Sequence, residues 1–211
     1  MIEALPEGGV TAARGFLAGA TYAGIKTGGL DLAIVYSERP CDAAAVYTTN
    51  KVKAASLLVS QRHLRDGRAQ AIVINSGNAN VATGQQGLRD AEEMARLVAQ
   101  KTRIAPDDVV VASTGVCGVP LPMDKIRAGI PMIELSKEGG RQAALGITTT
   151  DTRSKEAATR VIIGECVITI GGMAKGSGMI HPNLATMLAF ITTDANIDCS
   201  FLQKALRVAV D

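Results

Sequence analysis

The sequence predicts a mixed α/β (α+β) domain, with sheets layered against helices rather than a doubly wound parallel fold. Three observations carry this prediction. Compact apolar runs such as Ala71-Ile72-Val73-Ile74 and Val109-Val110-Val111-Ala112-Ser113 read as buried strands. Leu88, Ala91, Met94, Ala95 and Val98 recur at spacings of three and four, which gives a helix over residues 85–101 one apolar face. Late in the chain, residues 156–163 and 166–170 form a hairpin pattern around Gly164-Glu165. These elements do not alternate strictly, so a parallel βαβ array is not expected.

Taken in order, residues 1–30 are Gly-rich and read as short extended pieces between turns. Strands are expected over 30–35, 42–48 and 54–59, and a short turn or helix over 62–66. The run 71–74 is a buried strand, and Asn75-Ser76-Gly77-Asn78-Ala79-Asn80 after it reads as a polar loop at its end. After the helix at 85–101, Pro106-Asp107-Asp108 starts the strand at 109–113. Helices are expected over 124–135, interrupted at Pro131, and over 137–145, weakened by Gly139-Gly140. Thr148 to Thr152 is a polar connection, followed by the hairpin. Then come a glycine-rich loop from Gly171, a strand at 187–191, a turn at 192–194 and a helix from Ser200. That helix has no capping glycine before Asp211, so the chain reads as continuing beyond it.

Composition excludes several classes. The chain has 211 residues, 47% apolar and 20% charged, which is enough for a sizeable core and argues against disorder. A net charge of +2 gives no electrostatic case for nucleic acid or a membrane surface. Aromatic residues are 3%, with no Trp, so base-stacking platforms are not expected. No apolar run is long enough to cross a bilayer, and Met1 to Pro6 lacks a secretory signal pattern. Cys41, Cys117, Cys166 and Cys199 are far apart and only His63 and His181 are present, so no metal site is expected. Widely spaced cysteines fit a reducing, cytoplasmic location.

One stretch concentrates chemistry: Gly171-Gly172-Met173-Ala174-Lys175-Gly176-Ser177-Gly178-Met179-Ile180-His181-Pro182-Asn183-Leu184-Ala185-Thr186-Met187-Leu188. A Thr hydroxyl needs an adjacent base to be a nucleophile, and an N-terminal Thr carries one in its own α-amine. Thr186 would gain that amine if the chain cut itself between Ala185 and Thr186. Alone, Ala185-Thr186 reads as a β-branched residue opening a strand. Lys175 is either a solvated surface lysine or a cation set to receive a carboxylate. Acyl chemistry needs donors aimed at a developing oxyanion, and Ser113-Thr114-Gly115 ends an apolar strand in a glycine turn. The Thr114 hydroxyl and the Gly115 amide are candidates, with a plain strand-end turn as the alternative. Thr149-Thr150-Asp151-Thr152 offers clustered hydroxyls for a substrate or for a turn. His181 precedes a proline and reads as structural, and Cys117 has no nucleophile signature around it.

These segments resemble the ornithine acetyltransferases of arginine biosynthesis, many of which also act as glutamate N-acetyltransferases. The resemblance rests on the stretch 171–188 and, in the family's order, on Asn75-Ser76-Gly77-Asn78-Ala79-Asn80, Ser113-Thr114-Gly115, Leu121-Pro122-Met123-Asp124-Lys125 and Thr149-Thr150-Asp151-Thr152. It covers nearly the whole chain. It implies a layered α-β-β-α sandwich of the type shared with β-peptidyl aminopeptidases. It also implies self-cleavage into an α chain, residues 1–185, and a β chain beginning at Thr186, here 186–211.

The implied reaction moves an acetyl group from N-acetylornithine to glutamate through acetyl-Thr186, releasing ornithine. Bifunctional members also load from acetyl-CoA as a substrate, and no bound cofactor is implied. Thr114 and Gly115 would form the oxyanion hole, while Thr149, Lys175 and Thr186 contact substrate. The implied assembly is a heterotetramer of two α and two β chains. Family members continue for about as long again past residue 211 and carry further substrate contacts there. Ser154 stands where the family's pattern has proline. A hydrolase or aminopeptidase of the same fold and a truncated, non-catalytic subunit are the competing readings.

Overall fold

The computed structural model describes residues 1–178 and 187–210. Two four-stranded sheets face each other. The first sheet holds β2 (Phe16–Thr21), β3 (Leu32–Asp42), β4 (Arg68–Asn78) and β5 (Val109–Val116), in that spatial order. β2, β3 and β4 pair antiparallel, whereas β4 and β5 run parallel and in register from Ala71↔Val109 to Asn78↔Val116. The second sheet is antiparallel, with β1 (Ile2–Ala4), β6 (Lys155–Ile163), β7 (Cys166–Lys175) and β8 (Leu188–Thr193) side by side. The expected layering of sheets and helices is therefore present.

Side-chain alternation divides the core into two layers. On one face of the first sheet, Leu32, Ile34, Val73, Val109 and Val111 pack with Ala91, Met94, Ala95, Val98, Ile126 and Ile130. The last six belong to α2 (Gly84–Thr102) and α3 (Met123–Met132), and α1 (Ala55–His63) lies against β5 on the same side. On the other face, Ala33, Val35 and Ile74 meet Met173 of the second sheet and Ala143, Ala144 and Ile147. Ala143 and Ala144 lie on α4 (Gly140–Gly146), which packs on strands of both sheets. The far face of the second sheet is open, with Ile2, Ile163 and Ile191 exposed. The last helix, α5 (Cys199–Val210), buries no residue, and Asp198 caps it by accepting the amides of Ser200 and Phe201 at 3.0 Å each.

Several elements differ from the sequence-based expectation. The strand expected at 54–59 is helix α1. Its inner face is Ala55, Ser56, Val59, Ser60 and His63, so polar residues break the apolar period that marks a helix. Two of those polar residues, Ser60 and His63, satisfy the edge strand β5. Ser60 donates to the Val111 carbonyl at 2.6 Å and accepts the Val111 amide at 2.8 Å, and His63 Nδ1 lies 2.8 Å from the Val109 carbonyl. The strand expected at 42–48 is absent, because β3 already runs through to Asp42, with its register shifting between Tyr36 and Cys41. Pro40, which has no amide to donate, falls in that shift. α3 ends at Met132 and α4 starts at Gly140, both shorter than expected.

The glycine-rich loop expected from Gly171 is the end of strand β7. It pairs on both sides, Gly171 with Ala158 and Thr192, and Lys175 with Leu188. Glycine suits this strand because the segment after Gly8 crosses it: a Cβ on Gly171 would lie 2.1 Å from the Gly9 carbonyl oxygen. The polar runs at 75–78 and 114–116 are likewise strand, continuing the parallel pairing of β4 and β5. The turn expected at 192–194 gives way to strand through Thr193.

Candidate active site

The facing sheets bring Ser113-Thr114-Gly115 and Lys175 together at their ends. Along β5, Ala112 and Thr114 face the second sheet, while Val111 and Ser113 face the helices. Along β7, Met173 and Lys175 point back toward the first sheet. Lys175 is 2% exposed and Thr114 6%. The Lys175 ammonium donates to Thr114 Oγ1 at 2.8 Å. An ammonium can only donate, so the Thr114 oxygen accepts and its own proton remains directed to another acceptor. The lysine is thus buried and not a surface residue.

Burial disfavours the charge on Lys175 and lowers its pKa, and the Asp151 carboxylate opposes that while the Lys155 ammonium adds to it. Asp151 sits in the connection between α4 and β6. Its Oδ1 accepts the Gly176 amide at 2.8 Å and the Lys155 ammonium at 2.5 Å, and its Oδ2 accepts the Thr149 amide at 3.5 Å. Burial works against its ionisation, and the bonds from Lys155, Gly176 and Thr149 outweigh it, so its carboxyl is held below the ordinary range. Thr149 therefore joins the Lys175 end of β7 through Asp151. Thr150 and Ser177 add a contact between hydroxyls at 3.4 Å.

Gly115 adopts a φ of +132°, a backbone that side chains rarely tolerate. It lies directly beside Gly77 in the parallel pair, and is exposed at the end of β5. Ala185 and Thr186, the expected cleavage site and nucleophile, and His181 lie outside the described residues. Cys117 is exposed, two residues past Gly115. Among the described residues no group of three His, Cys, Asp or Glu side chains is placed to hold a metal.

Residues 17–211 match the profile of the ArgJ family. The chain belongs to the ArgJ family. It is 56% identical over 209 residues to the arginine biosynthesis bifunctional protein ArgJ of Symbiobacterium thermophilum, covering 97% of this chain and 52% of that protein. The ArgJ protein of Dehalococcoides mccartyi is 51% identical over 213 residues, covering 100% of this chain and 53% of its own length. The chain thus spans about half the length of the curated relatives it matches. Among solved ArgJ structures, that of Bacillus halodurans superposes with a TM-score of 0.84 at 42% identity, covering 89% of this chain and 98% of that one. The ornithine acetyltransferase of Mycobacterium tuberculosis, solved with ornithine, gives 0.82 at 42% identity, covering 88% of this chain and all of that one. The two-sheet fold of this chain is that of the solved ArgJ chains.

Sequence reasoning named Thr149, Lys175, Thr114 and Gly115, and passed over Asp151 as one of a hydroxyl cluster. Its signal was present as an acid four residues before Lys155. It also read 75–80 only as a loop. Asn75 and Ser113 lie side by side in β4 and β5, and Asn75 Oδ1 and Ser113 Oγ are buried with no hydrogen-bond partner among the described residues.

Proposed function

We propose that this chain carries residues 1–185 as the α part and 186–211 as the start of the β part of an acetyltransferase that moves the acetyl group of N-acetylornithine to glutamate. Cleavage of the Ala185–Thr186 bond frees the Thr186 amine, which takes the hydroxyl proton as Oγ attacks the acetyl carbonyl. The Thr114 hydroxyl and the Gly115 amide donate to the oxyanion. The carbon–nitrogen bond then breaks, the proton goes to the leaving amine, and ornithine departs. The glutamate amine attacks the acetyl-Thr186 ester in the same way and restores the hydroxyl. Lys175 and Thr149 contact substrate. Acetyl-CoA serves as a second acetyl donor, and two α and two β chains form the working assembly.

The observation that supports this reading is the 2.8 Å bond from Lys175 to Thr114, which ties the end of β5 to the strand that precedes Thr186 in the chain. Chain lengths support it. The Mycobacterium tuberculosis chain is covered in full by 88% of this one. The curated relatives are about twice as long as this chain, so solved family chains are about half the length of whole family proteins. The ornithine bound to that structure supports the substrate class.

N-terminal sequencing and intact mass of the purified protein test the cleavage. The expected result is two chains, one beginning Thr186-Met187-Leu188. Acetyl transfer to glutamate is then assayed beside release of acetate to water, which separates the transferase from a hydrolase. Thr186→Ala blocks both cleavage and transfer. A single uncut chain with full activity would overturn the mechanism.

A further inference from the structure

Asp151 joins the two segments that hold Lys175 and Thr149. Its side chain is 1% exposed, while that of its partner Lys155 is 41% exposed. Gly176 follows Lys175 directly, so the bond from its amide to Asp151 fixes the peptide at the end of β7 and the direction in which Lys175 leaves the strand. Lys155 pairs with Ala174, the residue before Lys175, so the ion pair flanks the same strand end. Among the described residues, the ionised groups acting on Lys175 are Asp151 and Lys155.

We propose that Asp151 is a positioning residue that holds the Lys175 ammonium against Thr114, with Lys155 as a counter-charge that limits its pull. Its use in acetyl transfer rests on the function proposed above, but the arrangement itself does not. The two ions act on Lys175 with opposite sign: the carboxylate favours its charged form and the second ammonium disfavours it. An ion pair that merely braces the 149–155 segment has no such asymmetry, because removing either member breaks the same pair.

The test follows the Lys175 side-chain resonance through a pH titration of the whole chain labelled at lysine, with the resonance assigned by its loss in Lys175→Arg. In Asp151→Asn, which keeps an acceptor for Gly176 and removes the charge, Lys175 titrates at lower pH than in the wild type. In Lys155→Gln it titrates at higher pH. Shifts of the same sign in both variants, or no shift in either, overturn the proposal. Should Asp151→Asn fail to fold, Lys155→Gln decides alone: an upward shift supports the proposal, and no shift or a downward one sinks it. The readout needs no acetyl transfer, so it stands apart from any failure of the proposed activity.

Discussion

Gly77 and Gly115 lie opposite each other in the parallel pair of β4 and β5, so close that a methyl group on Gly115 would sit 2.3 Å from the Gly77 carbonyl carbon. Both residues have positive φ, +125° and +132°. Gly115→Ala therefore meets backbone rather than a side chain that can swing away. It should destabilise the chain by about 1–3 kcal/mol, the usual cost of one disfavoured backbone conformation. Denaturant melts measure this, and a variant as stable as the wild type would remove the steric argument.

Thr114 accepts from Lys175 and has one proton to give. If that proton reaches the oxyanion, Thr114→Ala lowers turnover by on the order of 10²–10³, and Thr114→Ser keeps most of it. Steady-state acetyl transfer by the complete assembly is the measurement. An equal loss in both variants would point to the methyl group and to packing.

Lys175 is buried at a cost to its own charge. Its folded pKa is lowered, so between that value and the unfolded value near 10.5 the unfolded chain binds more protons. Stability from this group therefore increases as pH rises through that window. Lys175→Met keeps the apolar stem and removes the buried charge. It should cut transfer by about 10²-fold or more, with thermal stability at pH 7 unchanged or raised. A clear drop in melting temperature would mark the lysine as structural.

Asp194 behaves in the opposite sense. Its side chain is 7% exposed, and it accepts the Thr169 amide at 2.7 Å and the Arg14 side chain at 3.2 Å. Burial opposes its ionisation, but these bonds, with the Arg14 amide, depress its pKa below the ordinary 3.8. Its contribution is full above that value and disappears as pH falls through the folded pKa. Asp194→Ala should cost about 1–3 kcal/mol at pH 7, since it leaves a buried donor unmet. The difference from the wild type should shrink below pH 3.8, as read by melts across pH.

The layered class, helix α2 and the late hairpin were legible because each carries a clean hydrophobic period. Thr114, Gly115, Thr149 and Lys175 became site candidates through the family resemblance, because on residue type alone each also reads as a turn or a surface residue. Helix α1 was illegible because its inward face carries Ser56, Ser60 and His63, of which Ser60 and His63 satisfy an edge strand that local sequence does not reveal. The end of β7 was read as loop because glycines there serve a crossing segment more than a hundred residues earlier in the chain. The burial of Lys175 was likewise undecidable, since its partner is brought to it only by the packing of one sheet on the other.

The Lys175–Thr114 bond joins residues 61 apart in the chain, one from each sheet. It forms only after both sheets have closed on each other, and such distant contacts come late in folding. A self-cut of the kind proposed above, with its oxyanion donors on β5, would therefore be timed by the fold. Under that proposal the scissile bond would leave the ribosome without the means to break it, and cleavage would report that the α part has folded.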